Sequence, residues 1–132
     1  MKLKKFEGNP ILSPLKTNDW ESLVTCNPGV IYDNGVFYML YRAAGNDPEH
    51  VIRLGLAISK DGFHFQRVSD QPVFGPSEDG PDSGCVEDPR IVKFILLMLT
   101  VHMLPVNTGS SGTMKSCFPN AEMMPPWLFA II

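Results

Sequence analysis

Charge is scarce in this chain, and so are cysteine, histidine and long apolar runs. Only 19% of its 132 residues are Asp, Glu, Lys or Arg, and the net charge is −3. A weakly acidic chain has no basic stripe with which to neutralise phosphates, so nucleic acid is not expected as a partner. No stretch reaches the ~18 uninterrupted apolar residues of a membrane-spanning helix, so no membrane association is expected either. The three cysteines, Cys26, Cys85 and Cys117, are odd in number and widely spaced. They suggest neither a disulfide framework nor a Cys-x-x-Cys metal site. His50, His64 and His102 lack metal-ligand spacing, and no metal or organic cofactor is expected. The Gly-x-Ser-x-Gly, Walker A and Gly-x-Gly-x-x-Gly patterns are missing, which removes the usual support for a serine hydrolase or a nucleotide binder. The start is basic (Lys2, Lys4, Lys5), but no apolar core or small-residue cleavage site follows it, and a cytoplasmic location is expected.

What is present reads as short strands. Val30-Ile31-Tyr32 and Val36 to Tyr41 are β-branched and aromatic runs, separated by Asp33-Asn34-Gly35. Asn and Gly tolerate the positive φ of a tight hairpin turn, so these runs form a hairpin. Ile52 to Ile58 and Phe63 to Arg67 make a second pair around the turn Ser59-Lys60-Asp61-Gly62. Proline-bearing segments flank the four strands: Asn9-Pro10-Ile11-Leu12-Ser13-Pro14 before, Gln71-Pro72-Val73-Phe74-Gly75-Pro76 after. This echo, roughly 60 residues apart, hints at a repeated four-stranded unit, the outline of a β-propeller blade. One blade cannot bury both of its faces, and the chain has room for about two. No amphipathic helix of ordinary length is evident, so the class is all-β.

The averages conceal a break. Residues 1–93 carry 23 of the 25 charged side chains, whereas residues 94–132 carry only Lys115 and Glu122 and hold five of the seven methionines. The later segment sustains neither a period of 3.6 nor one of 2.

The stretch from Glu78 to Ile91 concentrates acids: Glu78, Asp79, Asp82, Glu87 and Asp88. Proline disfavours the α conformation of the residue before it, so Asp88 is expected to be extended at the mouth of a strand starting near Ile91, with Arg90 able to share its face. Carboxylates at strand ends facing a cleft suit general acid or base work. The plain alternative is a solvated loop with an Asp88–Arg90 ion pair, and the acid spacing does not fit an EF-hand calcium loop. Arg42, which ends the central hairpin with Asp47 nearby, could fork onto sugar hydroxyls or a carboxylate; otherwise Arg42 is an exposed charge on an edge strand.

Six segments taken together resemble glycoside hydrolase family 130, the β-mannoside phosphorylases and related β-mannosidases. They are Asn9 to Pro14, Trp20-Glu21-Ser22, Cys26-Asn27-Pro28-Gly29-Val30, Leu40 to Asp47, Leu54 to Gly62, and Val86-Glu87-Asp88-Pro89-Arg90-Ile91. The resemblance covers about residues 6–94. It implies a five-bladed β-propeller with the active site at the central funnel, here represented by the first one to two blades. It implies inverting attack by phosphate or water on a β-mannosyl bond, with inorganic phosphate as co-substrate in the phosphorylases and mannose 1-phosphate as their product. The aspartate of the Asp-Pro-Arg motif, here Asp88, would be the general acid, its proton travelling through the mannose 3-hydroxyl. Asn27 and Arg42 match positions that contact mannose beside the cleaved bond, and Asp47 and Glu87 are further substrate-binding candidates. Pro28 stands where some branches carry a small polar residue.

After Ile91 the family continues with a Tyr-rich strand and then its phosphate-holding or hydrolytic residues, which do not follow here. The expectation is a family segment at 1–93 and a non-family tail at 94–132, from a frameshifted or truncated reading frame. The tail is alternatively a divergent one whose Ile95–Val101 run substitutes as a buried strand. The expected partners are β-mannosides or mannooligosaccharides, and the chain alone is expected to be inactive. The rival is a non-catalytic carbohydrate-binding module, or a homo-oligomer whose exposed blade edges pair.

Overall fold

The computed structural model describes residues 2–93 and 128–131. Four strands form one antiparallel sheet in chain order: β1 (Val24–Asp33), β2 (Val36–Ala44), β3 (Ile52–Ser59) and β4 (Gln66–Arg67). The expected hairpin is present. Asp33 pairs with Val36 around a two-residue turn in which Asn34 and Gly35 both have positive φ, 47° and 83°. That is the turn whose twist matches the flanking strands, and Gly35 supplies its second left-handed position without steric cost.

The fourth strand is shorter than the alternation at 63–67 suggests. The Asp61 carboxylate accepts the backbone N–H groups of Phe63 and His64, at 2.9 and 2.8 Å, and also the Ser59 hydroxyl. This Asx-type turn draws those donors away from the ladder, so pairing begins only at Gln66. Arg42 is likewise not on an edge, because β2 lies between β1 and β3.

Each face of the sheet carries a buried cluster, although Val30, Tyr32 and Ile58 stay exposed. On one, Met39, Tyr41, Ala43 and Ala57 pack beneath Ile11, Leu12, Trp20 and Phe65. On the other, Leu40, Leu56 and Val73 pack with Ile31, Tyr38, Val68 and Ile91. The two proline-bearing segments thus cover opposite faces, Ile11 and Leu12 one and Val73 the other. A 3-10 turn, Asp19–Glu21, carries Glu21 into the first face. Its carboxylate is fully buried and accepts from Arg67 Nε (2.8 and 3.0 Å), the Tyr41 hydroxyl (3.0 Å) and Asn18 Nδ2 (2.7 Å). Burial, with Glu21 beside it, raises the Tyr41 phenol above its ordinary range, so it stays a donor.

After β4 the chain crosses the second face. Leu54 exchanges backbone hydrogen bonds with Val73 and Phe74, and the chain reaches β5 (Arg90–Lys93), which lies against β1. β5 pairs antiparallel with β6 (Leu128–Ile131), from Arg90↔Ile131 to Lys93↔Leu128. The remainder of the tail, with His102, Cys117 and the Ile95–Val101 run, lies outside the described residues.

Candidate active site

The crossover lays the acidic segment over the second face of the blade, where Arg42 emerges from β2. Val86 and Pro89 are both buried, and they bracket Glu87 and Asp88 so that the two acids between them face outward. Asp88 is not extended, as proline at 89 suggested. Its φ is +44°, in the left-handed region that non-glycine residues rarely occupy. Asn27, with the same φ of +44°, faces it.

Asn27 owes its position to a β-bulge. Cys26 pairs with Arg42 and Gly29 with Leu40, so Asn27 and Pro28 together oppose the single residue Tyr41. A bulge re-aims a side chain, asparagine tolerates the left-handed conformation, and proline has no N–H to lose from the ladder. The outcome is a hydrogen bond of 2.7 Å from Asn27 Nδ2 to Asp88 Oδ1 across 61 residues of sequence. Arg42 Nη1 donates to the same oxygen at 3.4 Å and lies 3.1 Å from Glu87 Oε2. Arg90 does not pair with the Asp88 carboxylate. Its guanidinium turns back onto the main-chain carbonyls of Asp88 and Pro89.

Four of the five residues singled out in the sequence, Asn27, Arg42, Glu87 and Asp88, therefore meet. Their carboxylates are about half exposed, 46% and 47%, while Arg42 is at 24%. The hydrogen bond from Asn27, reinforced by Arg42, holds the Asp88 carboxyl below the usual carboxylate range. Two charged or polar donors converging on one carboxylate make a site suited to hydroxyl-rich ligands, which exchange donors and acceptors one for one. Asp47 stands apart. It accepts the Val51 N–H at 3.1 Å and lies 4.0 Å from Arg53, which closes the loop between β2 and β3. The Val51 N–H chiefly accounts for its lowered pKa. Among the described residues no group of three or more His, Cys, Asp or Glu side chains could hold a metal ion. No helix there is long and apolar enough to cross a membrane.

Residues 2–100 match the glycoside hydrolase 130 family model, described as beta-1,4-mannooligosaccharide phosphorylase. The chain belongs to glycoside hydrolase family 130. A 1,2-beta-oligomannan phosphorylase from Thermoanaerobacter sp. (strain X514) is 42% identical over 98 residues, which are 70% of this chain and 32% of that protein. A beta-1,2-mannobiose phosphorylase from the same strain is 38% identical over 103 residues, covering 70% and 33%. A solved GH130 structure, from work on glycoside hydrolases that target beta-1,2 mannosidic linkages in Candida mannan, shares 35% identity. Its TM-score is 0.56, with 64% of this chain and 29% of that one covered. A putative glycoside hydrolase from Bacteroides ovatus ATCC 8483 superposes with a TM-score of 0.59 at 34% identity, covering 69% and 30%. The chain thus spans about a third of the length of the curated relatives it matches. Its blade is part of the five-bladed β-propeller of this family.

Sequence patterns did not single out Gly29 or the buried group of Glu21, Arg67 and Tyr41. Gly29 follows a proline and so resembles an ordinary turn; Trp20-Glu21-Ser22 gave no sign that its acid is internal.

Proposed function

We propose that Asn27, Arg42, Glu87 and Asp88 form the acid side of a site for inverting phosphorolysis of β-1,2-linked mannooligosaccharides. The observation that carries this is the convergence of Asn27 and Arg42 on the Asp88 carboxylate, in a family whose similar members are named as phosphorylases of β-1,2-mannans. Asp88 protonates the oxygen that leaves when the glycosidic bond breaks, the proton passing through the 3-hydroxyl of the mannose. A phosphate oxygen forms the new bond to C1 from the opposite face, giving α-mannose 1-phosphate. Solvent then returns a proton to Asp88. Inversion requires room between acid and nucleophile, so the phosphate-holding groups stand across the funnel from this wall.

The resting carboxylate is held ionised, whereas a general acid must carry a proton. Mannose resolves the conflict by taking Asn27 and Arg42 as its own donors and excluding water, both of which raise the Asp88 pKa. Asp47, bound into its own loop, takes a supporting role in shaping the rim. The 132-residue protein is expected to bind the sugar without turning it over, because among the described residues no group is placed to hold phosphate opposite Asp88.

Titration of the 132-residue protein with β-1,2-mannobiose, followed by NMR, is expected to perturb the Asn27 amide, Arg42 guanidinium and Asp88 carboxyl signals, with the perturbation lost in Arg42→Ala. No perturbation at millimolar sugar refutes the site. With phosphate added, formation of mannose 1-phosphate that Asp88→Asn abolishes would refute the inactivity of this chain.

A further inference from the structure

Gly29 sits where the bulge of β1 ends, opposite Leu40. Its φ is not in the left-handed region, so conformation alone does not call for glycine. Space does. A Cβ at this position would stand 2.6 Å from the Pro89 carbonyl oxygen, 3.2 Å from its carbonyl carbon and 3.6 Å from the Arg90 Cα. These are main-chain atoms, which cannot swing aside as the end of a flexible side chain does. They belong to the residues immediately after Asp88. Pro89 is itself buried, so any displacement of this segment from β1 gives up packing.

We propose that Gly29 is a positioning residue for Asp88: its missing side chain lets the Pro89 carbonyl rest against β1 and so keeps the Asp88 carboxylate within reach of Asn27 and Arg42. The inference rests on the reading of Asp88 as the acid only for its catalytic consequence, because the geometric consequence stands without it. Asp88 lies in a left-handed conformation, which is strained for a non-glycine residue and persists only where the surroundings over-determine it. Beside Arg42 on its carboxylate and Arg90 on its carbonyl, two contacts from β1 supply that determination: the Asn27 hydrogen bond and the fit of Pro89 on Gly29. Both originate within three consecutive residues of one bulge, so the bulge sets the aim of the donor and the seat of the acceptor together. A Cβ at 29 pushes the Pro89 segment off β1 and stretches the 2.7 Å bond from Asn27 first, since a short hydrogen bond loses most for a given displacement.

The experiment is an NMR titration of side-chain carboxyls in the full 132-residue chain, comparing Gly29→Ala with Gly84→Ala, where an added Cβ meets nothing within 4 Å. In Gly29→Ala the Asp88 pKa is expected to rise toward the ordinary value near 4. Asp61, held low by its own turn, must stay low, which shows that the blade remains folded. In Gly84→Ala neither carboxyl moves. The charged groups facing Asp88 (Glu87, Arg42 and Arg90) are unchanged in both variants, so a shift reports distance and not composition. An Asp88 that stays low in folded Gly29→Ala overturns the proposal. Should that variant fail to fold, Pro89→Gly frees the same segment without adding atoms to β1. The same rise is then expected, and its absence is equally fatal. None of these outcomes depends on sugar binding or turnover, so failure here is distinct from failure of the mannoside site.

Discussion

Replacing Arg67 by Leu removes the cation paired with the fully buried Glu21 carboxylate, and the structure permits an estimate of the cost. Glu21 has no exposed surface and Arg67 only 18%. The lost interactions are two charge-assisted bonds from Arg67 Nε to Glu21, a bond of 2.6 Å from Arg67 Nη2 to the Ser13 carbonyl, and the guanidinium over the Tyr41 ring at 5.7 Å. Removing one partner of a buried ion pair costs about 3–5 kcal/mol, because the remaining charge is left desolvated. Asn18 and Tyr41 still donate to Glu21, which places the expected loss near the lower end, at about 3 kcal/mol. Urea denaturation followed by circular dichroism measures it. With a slope of about 2 kcal/mol per molar urea, the midpoint falls by about 1.5 M. The double variant Glu21→Leu/Arg67→Leu is expected to lose less than Arg67→Leu alone, since it leaves no orphaned charge. A single-variant loss under about 1 kcal/mol, or a double variant worse than the single, would show that Glu21 is hydrated and refute the reasoning.

Two further expectations concern the carboxylates. Asn27→Ala and Asn27→Gly both remove the hydrogen bond to Asp88, so NMR titration should show the Asp88 pKa rising toward the ordinary range in each. The alanine variant should lose about 1 kcal/mol more stability than the glycine variant, because only glycine adopts the left-handed backbone freely. Asp61 and Asp88 both have folded-state pKa values below their unfolded ones, Asp61 chiefly through the His64 N–H and Asp88 chiefly through Asn27. The native state therefore binds fewer protons than the unfolded state on the acid side. Their stabilisation is complete above the unfolded pKa, near 4, and is lost as pH falls through the folded values. Thermal melts between pH 6 and 2 should show that decline, and Asp61→Asn should flatten it; an equally steep decline in that variant would remove Asp61 from the account.

The blade was legible in the sequence because its determinants are local. Asn34-Gly35 dictates a left-handed two-residue turn, the β-branched and aromatic runs on either side supply strands, and Ser59 to Gly62 closes the next connection. The family resemblance was legible for the same reason, since each of its six segments is short and contiguous. Strand length at 63–67 escaped the pattern, because the Asp61 carboxylate competes for N–H groups that alternation alone assigns to a ladder.

The site divides in the same way. Sequence by itself determined which residue types were available: an amide at 27, a guanidinium at 42, adjacent acids at 87 and 88, and a proline to follow. Only the tertiary structure decided that Asn27 and Arg42 reach one oxygen of Asp88 from 61 and 46 residues away, that Arg90 turns to the backbone instead, and that Asp47 serves its own loop. Those choices depend on how the 68–90 crossover packs on the second face of the sheet, and on Gly29 leaving room for Pro89. Packing of that kind is a sum over contacts distant in sequence, where no local period or spacing records it.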